Sequence, residues 1–116
     1  MTNKVYVHGI KNCDTVRKSL KWLESKNIEH EVHDLRKEIP NDDLITHWLK
    51  DVGQEILVNK RGLVWRKLTD DEKILSSQKD VIKLIQENPT VVKRPVLFNG
   101  KSWSVGFKAE MWEELF

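Results

Sequence analysis

The stretch Lys4-Val5-Tyr6-Val7-His8-Gly9-Ile10-Lys11-Asn12-Cys13-Asp14-Thr15 decides how the chain is read. Val5, Tyr6 and Val7 are good strand formers, so a short strand is expected over about 4–8. Gly9 to Asn12 form a tight loop, and a helical pattern begins at Asp14-Thr15 with Val16, Leu20 and Leu23 on one face. Cys13 therefore stands at the mouth of a helix. Unpaired backbone N–H groups and the positive end of the helix dipole there favour thiolate over thiol. The thiolate is the form that attacks. Lys11 and Arg17 add positive charge within a turn on either side. Free cysteine is also among the most buried residue types, so placement alone leaves a packed structural thiol open as the alternative.

Working outward, Asn27 stops the first helix and a second strand is expected near 30–35, giving β–α–β with parallel strands and a right-handed crossover. Pro40-Asn41 opens a helix with Leu44, Ile45, Trp48, Leu49 and Val52 on one face, and Gly53 ends it. Ile56 to Leu68 reads as irregular, and Thr69-Asp70-Asp71-Glu72 has capping-box spacing. Ser77 introduces a helix with Val81, Leu84 and Ile85 inward, stopped at Asn88-Pro89. Val96-Leu97-Phe98 and Ser102-Trp103-Ser104-Val105 flank Asn99-Gly100, a strong hairpin signal. A last helix holds Ala109, Met111, Trp112 and Leu115. The order β-α-β, a helical insertion over about 41–88, then β-β-α is that of an α/β thioredoxin-like fold with a mixed four-stranded sheet, in one domain spanning 1–116. Such folds place a reactive cysteine between the first strand and first helix. A proline opening their hairpin often has a cis bond beside the thiol, so a cis Arg94-Pro95 bond is expected.

Composition limits the function. The chain has 116 residues, enough for one core. With 39% apolar and 33% charged residues it reads as an ordinary globular protein. No apolar run approaches the roughly 18 residues that would suggest a bilayer span. The first residues lack a basic-then-apolar secretory pattern, so the expected location is cytoplasmic, where thiols stay reduced. A lone cysteine excludes an internal disulfide. The 20 basic and 18 acidic residues are intermixed, without the dominant basic face of a sequence-independent nucleic-acid binder, so no nucleic-acid partner is expected. His8, His30, His33 and His47 show no metal-ligand spacing, and no metal is expected. Local basic residues such as Lys60-Arg61 suit an anion pocket instead.

Three separated motifs carry a family resemblance: Gly9-Ile10-Lys11-Asn12-Cys13-Asp14-Thr15, Val58-Asn59-Lys60-Arg61-Gly62 with Trp65-Arg66-Lys67-Leu68, and Lys93-Arg94-Pro95-Val96-Leu97. In this order, across nearly the whole chain, they resemble the YffB-type branch of the ArsC/Spx family. The resemblance implies a thioredoxin-like domain with a helical insertion after the second strand, in a cytoplasmic bacterial protein. It implies similarity to glutathione-dependent thiol reductases, with true arsenate reductases as a sister branch. It also implies Cys13 as the catalytic nucleophile, with Arg61 and Arg94 around an oxyanion and developing charge. Guanidinium suits that task because it stays charged and donates paired, planar hydrogen bonds. The arsenate branch's third arginine is absent, Lys108 being the nearest basic residue, and Gly9 stands where that branch carries histidine. Both departures point away from arsenate. Spx-type regulators that sense oxidation use Cys-x-x-Cys, and Val16 fills the fourth position here.

A single-cysteine reductase must borrow its second thiol, so glutathione is expected as co-substrate, with no tightly bound cofactor. Lys11, Asn12, Arg94, Pro95 and Lys108 are the expected substrate-binding residues, the Arg94 backbone pairing strand-like with the peptide part of glutathione. His8 is a secondary acid–base candidate whose alternative is simple packing. Trp65 either covers the pocket or fills the core. The leading reading is thus a glutathione-dependent thiol/disulfide oxidoreductase acting on a small oxyanion or disulfide, expected to be monomeric. Its rivals are an arsenate reductase and an Spx-like non-enzymatic regulator that docks to RNA polymerase, which leaves a protein partner open.

Overall fold

A computed structural model describes residues 4–116. Its strands are β1 (Tyr6–Gly9), β2 (Glu31–Asp34), β3 (Val96–Phe98) and β4 (Trp103–Val105). Its helices are α1 (Asp14–Ser25), α2 (Asp42–Asp51), α3 (Gln54–Leu57), α4 (Leu63–Arg66), α5 (Gln78–Glu87) and α6 (Ala109–Leu115), with a 3-10 turn at Pro89–Val91. The strands form one sheet in the order β2-β1-β3-β4. β1 runs parallel to β2, as the helical crossover requires, and antiparallel to β3, which pairs antiparallel with β4. This is the expected thioredoxin-like arrangement with a mixed four-stranded sheet.

Strand alternation divides the core. Val7 and Leu97 face a cluster completed by Val5, Leu23 and Trp112, so α1 and α6 cover that side. Val96 faces the other way, into a cluster with Ile45, Trp48, Leu57, Val81 and Ile85 from the helical segment between β2 and β3. The sequence signals for helix ends act as their chemistry demands. Asn41 accepts a hydrogen bond from the Leu44 N–H at 2.8 Å, and Ser77 accepts one from the Asp80 N–H at 3.3 Å. Asn27 adopts φ 56° after α1, and Gly53 adopts φ 90° after α2.

Three local expectations change. The stretch Ile56 to Leu68 is not irregular: it holds the second half of α3 and all of α4, each a single turn. Both arms of the Thr69–Glu72 capping box form, at 2.9 and 3.2 Å, but they close one turn rather than opening a helix. The Thr69 donors hold the Glu72 carboxyl below its ordinary range. The second strand is shorter than 30–35 because only Glu31–Asp34 has partners on β1. Among the described residues, no helix is long and apolar enough to cross a membrane.

Candidate active site

Cys13 is the N-cap of α1: its backbone is extended (φ −108°, ψ 119°), and its carbonyl accepts the first helical bond from the Arg17 N–H at 3.0 Å. Its side chain makes no capping hydrogen bond and is half-buried. The sulfur is therefore held at a helix start without being used to cap it. Lys11 and Asn12, in the preceding turn, are exposed.

The same end of the sheet receives three other segments. β3 begins next to the Arg94–Pro95 bond, which is cis, as expected. The Gly106 N–H donates to the Pro95 carbonyl at 2.9 Å, bringing the turn after β4, and with it Lys108 at the N-cap of α6, to this end. An isolated antiparallel bridge, Val58↔Val92, adds the segment that leads to Arg61. The bridge is closed by Asn59 N–H to Val91 carbonyl and Lys93 N–H to Leu57 carbonyl, both 2.8 Å. Arg61 follows in a turn where the Gly62 N–H donates to the Asn59 carbonyl at 3.1 Å, and its side chain is exposed. The structure thus gathers Cys13, Lys11, Asn12, Arg94, Pro95 and Lys108 at one end, with Arg61 tied to it through the bridge.

The electrostatics differ in detail from expectation. Arg17 does not lend free positive charge to Cys13, because its guanidinium pairs with Asp14 and also donates to the Lys11 carbonyl at 3.4 Å. Arg94 Nη1 donates to the Thr90 carbonyl, and Arg94 Nε is buried without a partner. Among the described residues, no ion pair engages Lys11, Arg61, Lys93, Arg94 or Lys108. That end of the molecule carries unneutralised cations. Lys93 opens the third motif but carries no role in the sequence reading; its place depends on the bridge and on Gly106.

His8 is packed rather than poised at the surface. It is 7% exposed, stacked on His33 at 4.8 Å, with Trp48 and Trp103 at 5.3 and 5.6 Å between ring centroids. Burial first, and the neighbouring His33 second, lower its pKa from 6.5 to about 4. Its Nδ1 has no partner, nor has Nε1 of the adjoining Trp48. Trp65 packs half-buried against the core, with the Lys60 and Lys73 ammonium groups 5.6 and 5.9 Å from the ring centroid.

A lone cysteine capping the first helix of a thioredoxin-like fold is consistent with a thiol-based redox role. The chain belongs to the ArsC family, whose model matches residues 8–115. It is 38% identical over 112 residues to an uncharacterized protein of Haemophilus influenzae, covering 97% of this chain and 98% of that one. The solved structure of a YFFB protein matches with a TM-score of 0.89 at 29% identity, covering 96% and 97% of the two chains. The global transcriptional regulator Spx of Enterococcus faecalis is 31% identical over 105 residues, covering 85% of this chain and 76% of the regulator.

Proposed function

We propose that this protein is a cytoplasmic thiol–disulfide oxidoreductase in which Cys13 is the nucleophile and glutathione the external reductant. The observation that carries the reading is the half-buried Cys13 side chain, free of any capping hydrogen bond at the start of α1, at the sheet end that holds Lys11, Arg94 and Lys108, which have no carboxylate partner among the described residues. In the first step the Cys13 thiolate attacks the glutathione sulfur of a mixed disulfide RS–SG. The Cys13–SG bond forms, the RS–SG bond breaks, and RS⁻ leaves and takes a proton from water. In the second step a glutathione thiolate attacks the glutathione sulfur of Cys13–SG, giving oxidised glutathione and restoring the Cys13 thiolate. The net exchange, RS–SG + GS⁻ → RS⁻ + GSSG, consumes one glutathione thiolate: the substrate sulfur is reduced, the incoming glutathione sulfur takes its place in the disulfide, and the enzyme returns unchanged.

Glutathione carries two carboxylates, which suit Lys11, Arg61, Arg94 and Lys108. The Arg94 backbone N–H and C=O make no backbone hydrogen bond among the described residues, which favours strand-like pairing with the peptide of glutathione. Turnover of a glutathionylated peptide, coupled to glutathione reductase, tests the reading: wild type turns over and Cys13→Ala does not. Equal rates for the two would refute it. A second reading, a protein-docking regulator, is favoured by the 31% identity to an Spx protein. It requires absent turnover in wild type and partner binding that survives Cys13→Ala.

A further inference from the structure

We propose that Lys93 is a specificity-determining residue of the Cys13 site, holding a carboxylate of an anionic thiol or disulfide over the β4–α6 turn; this rests on the thiol–disulfide reading above. The sheet register places it there. Val7, Leu97 and Ser104 form one cross-strand row, and Val7 and Leu97 face the α1–α6 layer. Just beyond the strands, at the end where β1 finishes in Gly9, the Gly106 N–H donates to the Pro95 carbonyl. Gly9 faces α1 closely: a Cβ built on it would lie 2.7 Å from Val16 Cγ2. At Gly106, where φ is 81°, a built Cβ would lie 3.2 Å from Lys93 Cε and 3.9 Å from Nζ. The ammonium of Lys93 therefore lies over the β4–α6 turn, at the sheet end where Cys13 begins α1.

Three features suit Lys93 to binding. Its backbone is fixed by the 2.8 Å bond to the Leu57 carbonyl, so the stem starts from a set point. Its ammonium has no carboxylate partner among the described residues. Its neighbour Arg94 is drawn toward Thr90, which leaves Lys93 as the cation of this segment over the turn. The bare backbone of Gly106 leaves open the space that a side chain would take from the lysine tip. Lys108, two residues on, supplies a second positive charge at the same turn. The ligand class this fits is a thiol compound with a carboxylate remote from its sulfur.

The test measures Cys13 adduct formation by mass spectrometry with two disulfides of opposite charge, oxidised glutathione and cystamine. In each case Cys13 Sγ bonds one half and the other half leaves as thiolate. The readout is the ratio of the two rates, which a purely structural role for Lys93 would not move. Lys93→Ala is expected to lower the glutathione-to-cystamine ratio about threefold, and Lys93→Glu about tenfold, as befits a solvent-facing charge contact. Lys93→Arg should keep most of the preference. Lys83→Glu, the same charge change on exposed α5, should leave the ratio at the wild-type value. A wild-type ratio in both Lys93→Ala and Lys93→Glu overturns the role of Lys93 while leaving the oxidoreductase reading intact. An equal fall in Lys83→Glu overturns it as well, by reducing the effect to net charge. A wild-type protein that forms no Cys13 adduct with either disulfide overturns the oxidoreductase reading, and the role of Lys93 with it.

Discussion

Acidification from pH 6.5 toward pH 4 should load a proton onto the unfolded chain that the folded chain refuses at His8. The His8 ring lies between His33 of β2, Trp48 of α2 and Trp103 of β4, and its pKa falls from 6.5 to about 4. Among these contacts the ionisable group is His33, whose Nδ1 lies 3.1 Å from Glu38 Oε2; Trp48 and Trp103 carry no charge. Because the folded-state pKa is depressed, the unfolded chain binds more protons across that window, and stability falls as pH falls. At about 1.4 kcal/mol per pKa unit, the loss is about 3 kcal/mol once pH is below 4, with about 2 kcal/mol already gone at pH 5. Well above pH 6.5 the two states carry the same charge at this site, and the dependence vanishes. Urea unfolding of wild type and His8→Phe between pH 7.5 and 4.5 measures it. Phenylalanine keeps a ring of similar size and removes the titration, so the wild-type curve should fall away from the variant's as pH drops. Parallel curves, or an NMR titration of His8 with a midpoint near 6.5, would refute the reasoning.

Other perturbations probe the frame that aims Cys13. Gly9→Ala inserts a Cβ 2.7 Å from Val16 Cγ2, so urea unfolding should show a loss of about 1–3 kcal/mol, which Val16→Ala in the same chain should partly restore. Asn41→Ala removes the acceptor for the Leu44 N–H and should cost about 1 kcal/mol in the same assay, with the Cys13 adduct rate unchanged.

Much of this architecture is legible in the residues because its signals are local. Asn41 and Ser77 mark helix starts by side-chain caps, Asn27 and Gly53 mark helix ends by positive φ, and the Asn99-Gly100 turn marks the hairpin. The position of Cys13 at a helix start follows from its immediate neighbours. What escapes a sequence reading is nonlocal. The segment from Ile56 to Leu68 looks shapeless until Val58 meets Val92, a partner remote in the chain. His8 resembles a strand-end base until Trp48, from a helix beyond β2, closes over it. Lys93 gains its position from a side chain that Gly106 lacks. The pairing of Arg17 with Asp14 is the exception, since helical spacing of three residues makes it visible in the sequence.

The Val58–Val92 bridge has a consequence for how the chain tolerates change in length. It pins both ends of the excursion that runs through α4 and α5, so the excursion is a closed loop whose feet are set by two backbone hydrogen bonds. For a flexible loop, doubling the length adds only about 0.6 kcal/mol to the cost of closure. Residues gained or lost at the exposed Asp70–Glu72 turn therefore leave the feet, and the cations that rise from them, where they are. Length can change at that turn while α5 keeps Val81, Leu84 and Ile85 in the core and the clasp holds the backbone feet from which Arg61 and Lys93 extend.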